Sequence, residues 1–197
     1  ALVAMGALNM GLTEEELPDI VKRWRASSRR IYDFWYAVER AAQEAIEYGV
    51  ITTLPCGITI SRDQNFMFIR LPSGRSLFYR DPQLAPGNYG NKEILFMGLN
   101  QTNKKWGRIN TWGGKLVENI IQAVSRDILC NAMKNLARAG YKINFHIHDE
   151  VILEVPDDDK SKNLDDAIRR MCALPEWANG LPLNAAGFDN AHYYMKD

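Results

Sequence analysis

Apolar positions in the first quarter of the chain recur at helical spacing. In "GLTEEEL", Thr13 and Glu16 stand three residues apart, the spacing of a capping box, and predict a helix through "PDIVKRWRAS" with Pro18 in its first turn or so. Ile31, Trp35, Val38, Ala42 and Ile46 predict a second amphipathic helix from about Ser28 to Tyr48, ended by Gly49. From Gly57 to Phe78 the period falls to two. The runs "GITIS", "FMFIRL" and "SLFYR", joined by the turn signals "RDQN" and "PSG", predict a small antiparallel sheet. A loop rich in Pro, Gly and Asn, "DPQLAPGNYGN", then leads to the apolar run "EILFMGL" and the basic, polar segment "NQTNKKWGRINTW".

The longest predicted helix runs from about Gly113 to Ala139, with Val117, Ile120, Ile121, Val124, Ile128 and Leu129 on its apolar face and Gly140 as C-cap. In "NFHIHDEVILEVP", Ile143, Phe145 and Ile147 alternate with polar residues, as do Val151, Leu153 and Val155. This predicts a β-hairpin with His148 and Asp149 at its tip, packed against the long helix. A charged helix from about Ser161 to Cys172 and a last strand near "LPLNAAGF" complete the chain. The fold class expected is α+β. Three parts are expected: a helical part (1–50), a small antiparallel β segment with its loop (51–110), and a part carrying the long helix and the hairpin (111–197).

At 197 residues and 46% hydrophobic side chains, the chain is long enough for a buried core. Its 24 basic and 24 acidic residues cancel, so any nucleic-acid-binding surface must be local. Cys56, Cys130 and Cys172 are far apart and in no C-x-x-C pair, which argues against a disulfide framework and for a reducing compartment. No apolar run approaches the roughly 18 residues of a membrane span, and "ALVAMGALNMG" lacks the basic flank of a signal peptide, so a cytoplasmic location is expected. That opening is apolar, has no initiator Met and has no capping signal, and reads as the interior of a longer chain.

Adjacent Asp149 and Glu150 at a tight turn offer the oxygen ligands that hard cations such as Mg²⁺ prefer. Asp is also favoured in hairpin turns for backbone reasons alone. His146-x-His148 has the form of the start of a zinc site, but the third ligand would have to be the distant His192. On the long helix Lys115, Glu118, Gln122 and Ser125 form a polar stripe bordered by Asn119 and Arg126, readable as a solvated face or a binding face. Lys104, Lys105, Arg108 and Lys115 cluster before and at the helix start, either as a basic loop or as phosphate contacts.

Taken together, "TWGGKLVENIIQAVSRDIL", the helix it begins and "HIHDEVILEVP" closely resemble the last palm motif and preceding helix of the family A DNA polymerases, in a phage-like version. "GLTEEELPDIVKRWRASSRRIYDFWYAVERAA" resembles the segment after that family's nucleotide-binding fingers helix, and "GLPLNAAGFDNAHYYMKD" its C-terminal strand and tail. The resemblance implies an antiparallel palm-type sheet with a catalytic hairpin, preceded by helices of the fingers. It implies that Asp149 binds the catalytic Mg²⁺ ions and that Glu150 assists. It also implies that Gln122 and His148 meet the primer end, with Asn119 beside them, while Lys115 and Arg108 of the basic cluster are the further DNA contacts expected. Glu118 stands where many relatives carry Asn, which leaves its role between itself and Asn119. The partners implied are primer–template DNA and dNTPs.

The family's other palm aspartate, in a D-x-S-x-x-E context, is not found; "DFWYAVE" has the wrong spacing and a helical setting. The Arg, Lys and Tyr-Gly of the fingers helix are absent too. The expectation is a C-terminal polymerase fragment, inactive alone, whose other half comes from an upstream segment in cis or in trans. A noncatalytic duplex-binding module is the alternative, and a hydrolase built on H-x-H-D lacks ligands.

Overall fold

The computed structural model describes residues 2–87 and 90–189. It is an α+β fold that divides into two compact units. The first runs from the N-terminus to Leu54 and includes Ile60–Phe68 and Phe78–Glu118; the second includes Pro55–Thr59, Ile69–Leu77 and the chain from Asn119 onward.

In the first unit α1 (Leu17–Ser27) begins just after the predicted capping box. The Glu16 carboxylate accepts from the Thr13 backbone N–H at 2.8 Å and from its hydroxyl at 3.0 Å. Those two donors, the N–H first, hold the Glu16 carboxyl below its ordinary range. Half of the box forms, because the Thr13 hydroxyl donates to Glu16 instead of accepting from the helix backbone. Helix α2 (Arg29–Tyr48) buries Val38, Ala41, Ala42, Ala45 and Ile46, and stops at Gly49, whose φ of +70° suits glycine. Ile31, predicted on the apolar face, is exposed. The buried run of α2 starts only at Val38, and nearer the helix start Trp35 is stacked on Trp24 of α1, ring centroids 5.5 Å apart.

A six-stranded sheet follows in sequence order: β1 (Thr52–Thr53), β2 (Thr59–Arg62), β3 (Phe66–Arg70), β4 (Ser76–Pro86), β5 (Lys92–Leu99) and β6 (Trp106–Thr111). Alternate residues Ile60, Met67, Tyr79 and Ile94 are buried. The expected loop "DPQLAP" is instead strand. Between the pairs Arg80↔Met97 and Gln83↔Leu95, β4 advances three residues against two on β5, a β-bulge. Asp81, at φ +47°, and Pro82 occupy it, where a proline's missing N–H takes nothing from the ladder. Half of the basic, polar segment is likewise strand: β6 pairs with β5 from Leu99↔Trp106 to Ile94↔Thr111.

The long helix α3 (Gly113–Arg138) starts in the first unit and continues into the second. A Cβ on Gly113 would lie 2.1 Å from the Trp35 carbonyl oxygen, so only glycine fits this approach. Leu116, Val117, Ile120, Leu129, Ala132 and Leu136 are buried, whereas Ile121, predicted on the apolar face, is exposed. It lies about 100° round the helix from Ile120.

In the second unit β7 (Lys142–Ile147) and β8 (Glu150–Glu154) pair antiparallel. They close a core of Leu136, Tyr141 and Ala167, against which Ile143, Val151, Leu153 and Val155 pack. The predicted packing of helix on hairpin is therefore present. The turn between β3 and β4 is tied to α3: Ser73 Oγ and Arg75 Nε donate to the Asp127 carboxylate at 2.5 and 2.7 Å, and Arg75 Nη2 donates to the Ala123 carbonyl at 2.8 Å. Helix α4 (Leu164–Met171) is capped by Asn163, whose side chain accepts from the Asp166 N–H at 2.9 Å.

The last strand expected near "LPLNAAGF" is not formed: no described residue there is in a strand. The Leu183 N–H goes to the Leu181 carbonyl and the Ala185 N–H to the Asn184 side chain, so this segment meets backbone donors locally and joins no ladder. Residues 190–197, with His192, lie outside the described residues.

Candidate active site at the hairpin tip

The hairpin has a two-residue loop, with Ile147 paired to Glu150 and His148 and Asp149 between them. His148 has φ +50°, while Asp149 is not among the positive-φ residues. That sign pattern is the one of a type II′ turn, whose first central position favours glycine. A histidine there carries backbone strain on the order of 1 kcal/mol, a feature that recurs at functional sites. The turn leaves both tip side chains exposed.

A bulge decides which face each hairpin residue takes. Ile143 pairs with Leu153 and Phe145 with Ile152, so Asn144 is the extra residue. Past it the alternation is inverted. Ile143 lies with the core, and His146, paired with Val151, follows on that same side. Phe145 and Ile147, predicted to continue the apolar face with Ile143, are turned outward and exposed. Glu150, cross-strand from Ile147, shares that outer face.

The structure brings α3 to the hairpin through a contact that the sequence pattern did not single out. The Arg126 guanidinium lies against the His146 ring, with nitrogen–nitrogen distances of 3.3 and 3.2 Å. Arg126 is exposed on the same helix face as Gln122, one turn earlier, and Asn119. Gln122, Asn119, His148, Asp149 and Glu150 all belong to the second unit.

Arg108, Lys115 and Glu118 belong to the first. Lys115 Nζ donates to Glu118 at 2.9 Å, and Arg108 on β6 is paired with Asp81, bonding both its carbonyl and its carboxylate. Asp33, the acid of "DFWYAVE", is on α2 and paired with Arg29 at 2.9 Å.

Asp149 and Glu150 supply carboxylate oxygens suited to a hard divalent ion. Among the described residues no three His, Cys, Asp or Glu side chains are grouped to hold a metal. Mg²⁺ keeps several waters and is commonly shared with substrate phosphates, so two adjacent acids fit one side of such a site. Among the described residues no helix is long and apolar enough to cross a membrane.

Over 198 aligned residues the chain is 46% identical to the DNA polymerase of Bacillus phage SP02. The alignment covers 100% of this chain and 30% of that protein, so the chain spans less than a third of its relative's length. No protein-family model matches the chain, and no solved structure does.

Proposed function

We propose that this chain is the C-terminal fingers and palm portion of a template-directed DNA polymerase of family A. The observation that carries the reading is a hairpin offering Asp149 and Glu150 at its tip, in a chain similar along its whole length to a phage DNA polymerase. In this reading the tip is one arm of a site for transfer of a nucleotide to a primer 3′-hydroxyl, and an upstream segment supplies the other. Asp149, with Glu150 beside it, would hold Mg²⁺, which when bound supplies a Lewis acid for the hydroxyl and the triphosphate.

The remaining roles follow from donor chemistry. Every Watson–Crick pair shows acceptors at purine N3 and pyrimidine O2 in the minor groove, so the Gln122 amide and the His148 ring N–H can test pair geometry at the primer end without reading sequence. Asn119 would serve the same groove. Lys115 and Arg108 serve phosphates, with Glu118 orienting Lys115. The His146–Arg126 contact keeps the hairpin and α3 in fixed relation, so that donors and acids meet one primer terminus.

Primer extension tests the reading. The 197-residue chain with Mg²⁺ and four dNTPs is expected to give no templated product, since neither the second carboxylate nor the cations that position the triphosphate are present. Supplying the upstream polymerase segment, fused or in trans, restores extension. Asp149→Asn then lowers it by a factor on the order of 10³, because the amide keeps the shape and loses the charge. Full activity of Asp149→Asn, or templated extension by the isolated chain, overturns the assignment.

A further inference from the structure

With Met67, Tyr79 and Ile94 buried on one face of the six-stranded sheet, the alternate positions lie on the other. Strand register arranges them in rows. Arg80 pairs with Met97, and Met97 with Arg108, so two exposed arginines share one cross-strand row. Leu99 pairs with Trp106 in the next row, and Phe78, two residues before Arg80 on β4, extends it. Phe68 on β3 meets Phe78 edge-on at 5.4 Å, and Phe66 follows at 6.3 Å. Phe78 is 63% and Trp106 61% exposed, so an aromatic row lies open to solvent beside a cationic one. All these residues belong to the first unit.

Charge favours a polyanion here. Arg80 makes no ion pair among the described residues, and Lys104 and Lys105 sit in the turn that leads into Trp106. The acids nearby are Asp81, paired with Arg108, Asp63, which accepts the Asn65 and Phe66 N–H groups at 2.8 and 2.7 Å, and Glu93, which accepts from Asn110 at 2.8 Å toward the other end of β5. We propose that this open sheet face binds single-stranded DNA, its bases stacking on Phe78 and Trp106 and its phosphates meeting Arg80 and Arg108. A duplex hides its base faces, whereas an unpaired strand presents them, and stacking on aromatic side chains is tolerant of sequence. The face is built from first-unit residues and includes no residue of the hairpin.

The test is fluorescence anisotropy of a labelled oligo-dT with the 197-residue chain. Phe78→Ala and Trp106→Ala are each expected to weaken binding by about tenfold, while Phe78→Tyr and Trp106→Phe stay close to the unsubstituted chain. Arg80→Gln should lower the slope of log affinity against log salt by about 0.7. Both aromatics are exposed, so circular dichroism melts should not move; if an alanine variant unfolds, the tyrosine and glutamine variants still read the same face. Unchanged affinity in the aromatic variants overturns the proposal. So does equally tight binding of a blunt duplex, or self-association abolished by Phe78→Ala, which would make the face a contact between copies. The oligo-dT measurement is independent of primer extension, so failure of one reading is distinguishable from failure of the other.

Discussion

The six-stranded sheet and the β7–β8 hairpin begin from the same period-two pattern, and both contain a β-bulge and a non-glycine residue with φ near +50°, Asp81 in the sheet and His148 in the hairpin. They use these irregularities differently. In the larger sheet the Asp81–Pro82 bulge lies inside a ladder that resumes on both sides, and the Asp81 N–H is satisfied by the Asn65 carbonyl at 2.6 Å. Ile60, Met67 and Ile94 are almost completely buried there. In the hairpin the bulge turns Phe145 and Ile147 outward, and the positive φ falls on the tip residue His148. Two strands alone are marginal in water, so this element relies on α3 and α4 for support. The difference teaches that one sheet is stabilised by its own burial. The hairpin instead accepts strain and exposure at its tip, where Asp149 stands in the loop and Glu150 opens β8.

The largest expected effect tests the first half of that contrast. Ile94→Ala deletes a fully buried side chain and should cost about 3–4 kcal/mol in urea denaturation. Val151→Ala, at a half-buried hairpin position, should cost about 1 kcal/mol. Equal losses would break the comparison. Next, Asp127→Ala removes the acceptor for Ser73 and Arg75 and should cost about 1–3 kcal/mol. Ser73→Ala combined with Asp127→Ala should then cost less than the sum of the single changes, because both act through one network.

A smaller effect of opposite sign is expected at the tip. His148→Gly should stabilise the fold by about 0.5–1 kcal/mol by relieving the positive φ, while it weakens primer extension in the complete enzyme. A destabilised glycine variant would show that the turn is not strained.

The smallest effect is in acid and belongs to the helical support of the hairpin. Lys162 and then Ser161 hold the Asp159 carboxyl down at about 2, and Arg170 and then Tyr141 lower that of Asp166. A depressed folded-state pKa contributes stability that is complete above the unfolded value, near 4, and is lost as pH falls toward the folded one. Acid titration followed by tryptophan fluorescence should therefore show part of the unfolding between about pH 4 and 2. Asp159→Asn and Asp166→Asn should flatten that limb, and a limb unaltered in both variants would place the acid sensitivity elsewhere.

Much of this architecture could be read before any coordinates. Both N-terminal helices, α3, the hairpin and its Asp149 tip were expected within a few residues, because capping, periodicity and turn chemistry act over short stretches of chain. Family likeness, not spacing, singled out Gln122 and His148. The strands hidden in "DPQLAP" and "WGRINT" were not expected, since proline and polar residues weaken the local strand signal. They form because β5 offers a ladder on both sides. "LPLNAAGF" carried a strand-like pattern and found no partner. The bulge at Asn144, the positive φ of His148, the Arg126–His146 contact and the clamp on Asp127 share one origin. Each depends on the register or approach of residues distant in sequence, and a one-residue shift in pairing exchanges the faces of a strand without changing a single amino acid.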